Sequence, residues 1–298
     1  MIQYSRFDPK KLAKEKKVVV KEIDMVNDDP RNYQWTLFHQ HLFQKHPSRN
    51  PVYGNRKSIL TMKRKDIISY YRKYYNPKNM VLVLSGDVKN GKRWAEQYFT
   101  FTGGKKYTIP QINEPPLAKN KEAALKRNII SSYLVLGYKT VPRMHPDSYV
   151  LDVINGILGR GQSGWMFDAV RGKNGLSYEV ATANVLEQQF GFFAVHVSAD
   201  KEKLPKVTTI IKEQFARLKT VTDNDVAEAK EYIEGNFLLT NEDNQKLADT
   251  VCYAESVGDS HFINNYLTKI KRVTKMDILR VHQKYFTKPY CQTVLEGK

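Results

Sequence analysis

Residues Ile59–Gly86 align without gaps with Ile270–Gly297 at an offset of 211 positions. Identities fall at Ile59/Ile270, Asp66/Asp277, Ile67/Ile278, Lys73/Lys284, Tyr74/Tyr285, Val83/Val294, Leu84/Leu295 and Gly86/Gly297. A chain that uses one segment twice is constrained to build two related units, because each copy carries the same apolar face to bury. Each copy reads as an N-capped amphipathic helix, running from Thr or Lys through Asp to paired aromatics, then a turn, then a strand.

Carrying the offset back pairs a helix around Leu12–Val26 with one at Asp225–Phe237, in register to within a residue. The second copy has more in front of that helix: a strand at Asn128–Tyr138, a helix at Asp147–Leu158, a glycine-rich turn, and strands near Leu176–Val185 and Phe190–Ser198. The first copy has none of this, so roughly 90 to 100 of its residues are expected to be missing. A Pro- and Gly-rich linker follows from Gly103. The expected division is 1–102, the C-terminal part of a first domain; 103–124, the linker; and 125–298, a second domain.

Residues 12, 15, 19, 22 and 26 recur at helical spacings, so Leu12, Val19 and Val26 form a stripe that Glu15 and Glu22 interrupt. A carboxylate on an apolar face requires a cation, a donor network or a raised pKa. The lysines at 14, 16, 17 and 21 point mostly elsewhere, which leaves a metal as the partner to consider. Two readings compete: a solvated Lys/Glu face, which local sequence alone favours, and a strand through the β-branched run Val18–Val20.

With 41% hydrophobic and 27% charged residues in 298, ordinary globular cores and two domains are expected. The longest apolar runs, such as Met80–Leu84 and Tyr133–Leu136, are too short to cross a bilayer, and Met1–Arg6 lacks a signal-peptide core. A cytoplasmic chain without a transmembrane segment is the default expectation. Cys252 and Cys291, 39 positions apart, have neither ligand nor redox spacing and are expected as buried free thiols. The formal charge of +17 raises the question of nucleic acid. The basic residues come as KK, KR and RK pairs with no dense tract and no zinc-finger, RRM or KH signature, so nucleic-acid binding is not expected. A positive surface would also steer acidic peptides or anionic membranes.

Several segments, taken in order, resemble the insulinase/pitrilysin-type zinc peptidases of family M16, which include the mitochondrial processing peptidases. They are Glu15-x6-Glu22 with Asp28-Asp29-Pro30, then His46-Pro47 with Pro51 and Gly54, then Asp66-Ile67 and Asn79–Asp87. In the second copy they are Gly161–Phe167, then Arg171, Gly175-Leu176 and Tyr178. The resemblance runs through essentially the whole chain. It implies an α+β fold of duplicated LuxS/processing-peptidase-like domains, each an antiparallel sheet with helices on one face, the first domain incomplete, enclosing a chamber for unfolded peptide. It also implies zinc held by two histidines of an H-x-x-E-H helix and a downstream glutamate. Glu22 matches that glutamate and Glu15 the supporting acid. By the same resemblance Arg171 and Tyr178 would bind the substrate carbonyl and its oxyanion, and Gly161 and Gly164 the substrate-binding turn. The glycines at 156, 159, 161 and 164 lack the Lys-Ser/Thr ending of a phosphate loop.

One departure is large: none of His39, His41, His46, His145, His196, His261 and His282 is followed by x-x-Glu-His. The family places that motif on the counterpart of Asp147–Leu158, inside the missing stretch. Zn2+ is therefore expected only with ligands from a missing segment or a partner, either an N-terminal M16 fragment or a homo- or hetero-oligomer partner. His39-Gln40-His41 reads as partly exposed polar positions. Two functions compete. One is the larger part of a split or truncated zinc endopeptidase acting on unfolded peptides, inactive as the lone chain; the other is a non-catalytic peptide-binding or scaffold subunit. An incomplete first domain is expected to expose an unpaired sheet edge and apolar surface.

Overall fold

The computed structural model describes residues 2–100, 103–259 and 261–298, and of Tyr178 only the backbone. Asp8 caps α1 (Pro9–Asp28), its carboxylate accepting from the Lys11 amide at 2.9 Å, and Pro9 fills N1, where no backbone donor is needed. Asp29 ends α1 and caps α2 (Pro30–Leu42), again with Pro at N1, so the two helices meet at a corner set by Asp28-Asp29-Pro30. The first part continues with α3 (Arg56–Thr61), α4 (Arg64–Tyr74) and α5 (Gly91–Tyr98).

The second part comprises β1 (Lys121–Lys126), β2 (Ser132–Lys139), α6 (Asp147–Gly159), the short α7 (Trp165–Phe167) with a π-helical turn at Asp168–Gly172, β3 (Ser177–Leu186) and β4 (Gly191–Ala199). It ends with α8 (Leu204–Arg217), α9 (Asp223–Asn241), α10 (Asn244–Val257), α11 (Phe262–Arg272), α12 (Lys275–Val281), a π-helical turn at His282–Phe286, and β5 (Cys291–Glu296). The strand expected from Asn128 starts at Ser132, and β1 already begins at Lys121, within the expected linker.

The fold is α+β. Its five-stranded sheet has the order β1-β5-β2-β4-β3, antiparallel except for the β1–β5 pair. Alternation divides the strands between two faces. Leu134, Leu136 and Tyr138 of β2 and Phe193, Val195 and Val197 of β4 point into the main core with α6, α8, α9 and α12. Val135, Phe192, Ala194 and Cys291 point the other way, into a second core made by Phe38, Leu42 and Phe43 of α2 and the turn after it. The expected helix layer thus lies on one face, and the first part of the chain covers the opposite face.

The two copies of the repeat diverge at their strands. β5 is paired on both sides, whereas Met80–Ser85, read from sequence as its counterpart strand, forms no regular secondary structure and joins no sheet among the described residues. A strand needs neighbours for its backbone groups, and none is provided here. Of the two cysteines, Cys291 is buried, its thiol pushed up to about 12 by burial, but Cys252 is exposed, contrary to expectation; both are free. Among the described residues no helix is long and apolar enough to cross a membrane.

Candidate functional site

Glu15 and Glu22 lie on α1 but off its buried stripe. The helix buries Val20 and Ile23 and half-buries Leu12, Val19 and Val26, while both glutamates are exposed. Val20 and Ile23 draw the stripe round the helix by about 100° per residue, so it packs on α2 and α3 and leaves positions 15 and 22 outside. The solvated-face reading therefore describes this helix in the chain as it stands. Lys16 Nζ donates to the carbonyls of Leu60 and Met62, and Arg56 pairs with Asp24 at 3.1 Å, which fixes α1 against α3 and the loop after it.

The second constellation runs from the end of α6 to the start of β3. Gly159 packs so closely on β3 that a Cβ would fall 1.7 Å from Thr182 Oγ1. Gly161 adopts φ +61°, the left-handed region that favours glycine, with open space beside it. A Cβ on Gly164 would meet Arg160 N at 2.7 Å and Leu158 O at 2.8 Å. The turn is held from behind by Arg160, paired with Glu228 of α9, and by Arg217, whose guanidinium lies 3.9 Å from the Trp165 ring. Arg171 is exposed on the π-helical turn with its guanidinium 5.1 Å from the Phe167 ring.

Tyr178 follows on β3, where the register slips between Ser177 and Glu179, making it the extra residue of a bulge. Bulges re-aim side chains next to functional sites. The phenol lies outside what the structure describes, so the convergence of Arg171 and Tyr178 stays an expectation. The next residue, Glu179, pairs with Arg31 at 3.3 Å, bringing the α1–α2 corner to the strand that carries Tyr178.

Among the described residues no three His, Cys, Asp or Glu side chains come together to hold a metal. Glu22 offers one carboxylate, and the chain's own residues do not fit a zinc site by themselves. His39, expected as a partly exposed polar position, packs on Trp35, Phe43 and Phe192 with centroids 5.2 to 6.5 Å apart, and burial lowers its pKa. His196 lies 5.4 Å from Trp35, and its pKa is likewise lowered by burial, against the opposing charge of Glu179. Both rings are half-buried, so His39 is partly exposed as expected while packing on aromatic neighbours.

Sequence reading missed Glu114. Its carboxylate accepts backbone hydrogen bonds from Gln44, Lys45 and His46 at 2.8, 2.8 and 2.7 Å and pairs with Lys139 at 2.5 Å. Burial opposes its ionisation, but these donors outweigh burial and bring its pKa down to about 2. The linker is thereby pinned between the turn after α2 and the end of β2. Three of the four donors are main-chain amides, which no residue pattern announces.

A helix-backed five-stranded sheet, with a glycine turn leading to an Arg-bearing loop, is an α+β fold that solved structures share. A protease from Helicobacter pylori superposes with a TM-score of 0.88 at 21% identity, covering 97% of this chain and 72% of its own. A peptidase M16 inactive domain from Pseudomonas fluorescens gives 0.86 at 18% identity, covering 100% and 72%. An uncharacterized zinc protease of Bacillus subtilis is 23% identical over 303 residues, 99% of this chain and 73% of the relative. The chain belongs to the family described as peptidase M16 inactive domain, whose family model matches residues 61–233.

Proposed function

We propose that the chain is the larger part of a zinc-dependent endopeptidase that hydrolyses unfolded peptides, completed by a segment supplying two histidines and a glutamate base. The contrast between α1 and α9 carries this reading. At the offset of 211, Glu15, Val18 and Glu22 stand where α9 has Val226, Ala229 and Ile233. Those three are 4%, 0% and 9% exposed, and a Cβ on Gly156 of α6 would come 3.2 Å from Ala229 Cβ and 3.3 Å from Ile233 Cδ1. The matching face of α1 is exposed and carries two carboxylates, which suits a polar occupant and not the apolar packing of α9 on α6.

In this reading Glu22 is one zinc ligand and Glu15 supports the site. Arg171 and Tyr178 hold the substrate carbonyl and the oxyanion that develops from it, and Gly161 and Gly164 shape the turn beside the cleft. The chain divides at 1–102, 103–124 and 125–298. The test is cleavage of an unstructured peptide by the native assembly. Chelation and Glu22→Gln should each abolish it, and Arg171→Ala should lower kcat about 100-fold. Cleavage indifferent to chelation and to Glu22→Gln would end the reading. A second reading is a non-catalytic peptide-binding subunit. It predicts retained peptide binding without zinc-dependent cleavage.

A further inference from the structure

Glu22 and Tyr178 belong to different parts of the chain, and the peptidase reading needs them at a fixed separation. α2 is seated on the sheet by Phe38 and Leu42, both fully buried. α1 packs instead on α2 and α3, and it joins α2 through one extended residue, Asp29, at φ −80° and ψ 112°. A single residue between two helices leaves their mutual angle to be set by side chains. Glu22 lies six residues before the end of α1 at Asp28, about 9 Å along the helix. A tilt of about 10° at the corner would shift it by about 1.6 Å, and a misplacement near 1 Å costs about 100-fold in rate.

The second part of the chain supplies what sets this angle. Arg127, in the turn from β1 to β2, is anchored to the end of β5, its amide donating to the Glu296 carbonyl at 2.9 Å. Its guanidinium donates to the carbonyl of Asn27 in the last turn of α1 and lies 3.7 Å from the ring of Tyr33 in the first turn of α2. One half-buried side chain thus holds both sides of Asp29. The last carbonyls of a helix have no partner within it, and α1 has no basic residue in its last turn. Arg127 therefore meets an open carbonyl and the negative end of the helix dipole together. β1 and β3 are the two edges of the sheet, and the same corner is tied at the β3 edge as well. There Arg31 of α2 pairs with Glu179 at 3.3 Å, and the Glu179 amide donates to Ser177 Oγ at 3.0 Å across the bulge that contains Tyr178.

We propose that Arg127 is a positioning residue that fixes the angle of α1, and with it Glu22, against the strand that carries Tyr178. The Arg31–Glu179 pair is the second tie of the same strut. The kinetic consequence rests on the peptidase reading, whereas the strut itself is a property of this chain. Lysine is a poor substitute for Arg127, because an ammonium can donate to the Asn27 carbonyl but has no planar face to lay on Tyr33. The Arg31–Glu179 pair is largely exposed and has the smaller effect.

The experiment measures cleavage of an unstructured peptide by the native assembly, together with hydrogen exchange of the full chain. Arg127→Met should lower kcat about 30-fold with KM unchanged within about twofold, because Glu22 is displaced while the turn that binds peptide is untouched. Arg127→Lys should recover only part of this loss. Arg31→Glu and Glu179→Arg should each lower kcat about fivefold, and the two together should restore it. In the full chain Arg127→Met should speed exchange of the amides at 25–28 about tenfold and leave those of β2 and β4 unchanged, which separates a loosened corner from a lost fold. The inference is overturned if Arg127→Met leaves kcat intact, if it raises KM alone, or if the charge swap restores nothing. A parent assembly that cleaves, with kcat and exchange both indifferent to Arg127→Met, ends this inference and spares the peptidase reading. A parent assembly that does not cleave ends the peptidase reading, and the strut then stands or falls on the exchange at 25–28.

Discussion

The helices α4 and α12 begin with the same device. The Lys63 amide donates to Asp66 at 2.8 Å, and the Thr274 amide donates to Asp277 at 3.0 Å. The segments that follow them part company, since Cys291–Glu296 is an inner strand and Met80–Ser85 pairs with no strand among the described residues. A helix satisfies its backbone within itself and needs only a cap and one buried face, so both copies make it. A strand takes its hydrogen bonds from other segments, and only the second copy is given them.

The comparison can be broken in four ways. The largest effect is expected in amide exchange. The inner amides of β5 should be protected by more than about 1,000-fold, as expected of a core strand, while those of 80–85 in the isolated chain exchange nearly freely. Equal protection in the two segments would refute the contrast. Next, Asp147→Ala should cost about 3 kcal/mol in urea unfolding, because it strands Lys284, Tyr285 and Arg280 around an emptied acceptor site. Lys73→Met in the isolated chain should stay within about 0.5 kcal/mol, since no carboxylate is lost there.

Third, Glu114 contributes through linkage. Its folded pKa of about 2 lies below the unfolded value of about 4.3, so its stabilisation is complete above pH 4.3 and is lost as pH falls towards 2. Comparing the chain with Glu114→Gln by acid titration should show a difference of about 2 kcal/mol at neutral pH that vanishes near pH 2. A constant difference would contradict the assignment. The smallest effect separates the two helix faces. Ala229→Val should cost about 1 to 2 kcal/mol by crowding Gly156, whereas Val18→Ala should change the isolated chain by less than about 0.5 kcal/mol.

The repeat, the capped helix at Thr274-Asp277, the glycine turn and the order of β2, α6, β3 and β4 were legible because each is written in local spacing. Three things were not. The stripe of α1 was misjudged because Val20 and Ile23 were left out of the 12/15/19/22/26 spacing, and only packing on α2 and α3 decides between adjacent faces. The ring packing of His39 comes from Phe192, far away in sequence, although its partial exposure is as expected. The strand expected at Met80–Leu84 has the right residues, but its existence depends on other segments lying beside it. For the same reason the Arg31–Glu179 pair, which joins the α1–α2 corner to β3, is not announced in the sequence.

The position of β5 between β1 and β2 bears on how the protein is made. β1 and β2 precede β5 by about 150 residues in the chain, so β1 cannot join the three strands β2, β4 and β3 until Cys291–Glu296 is in place. Phe38, Leu42 and Phe43 precede Cys291 by about 250 residues, so the surface they bury against is complete only when β5 is in place. Part of the apolar face of α2 therefore stays uncovered until β5 closes the sheet.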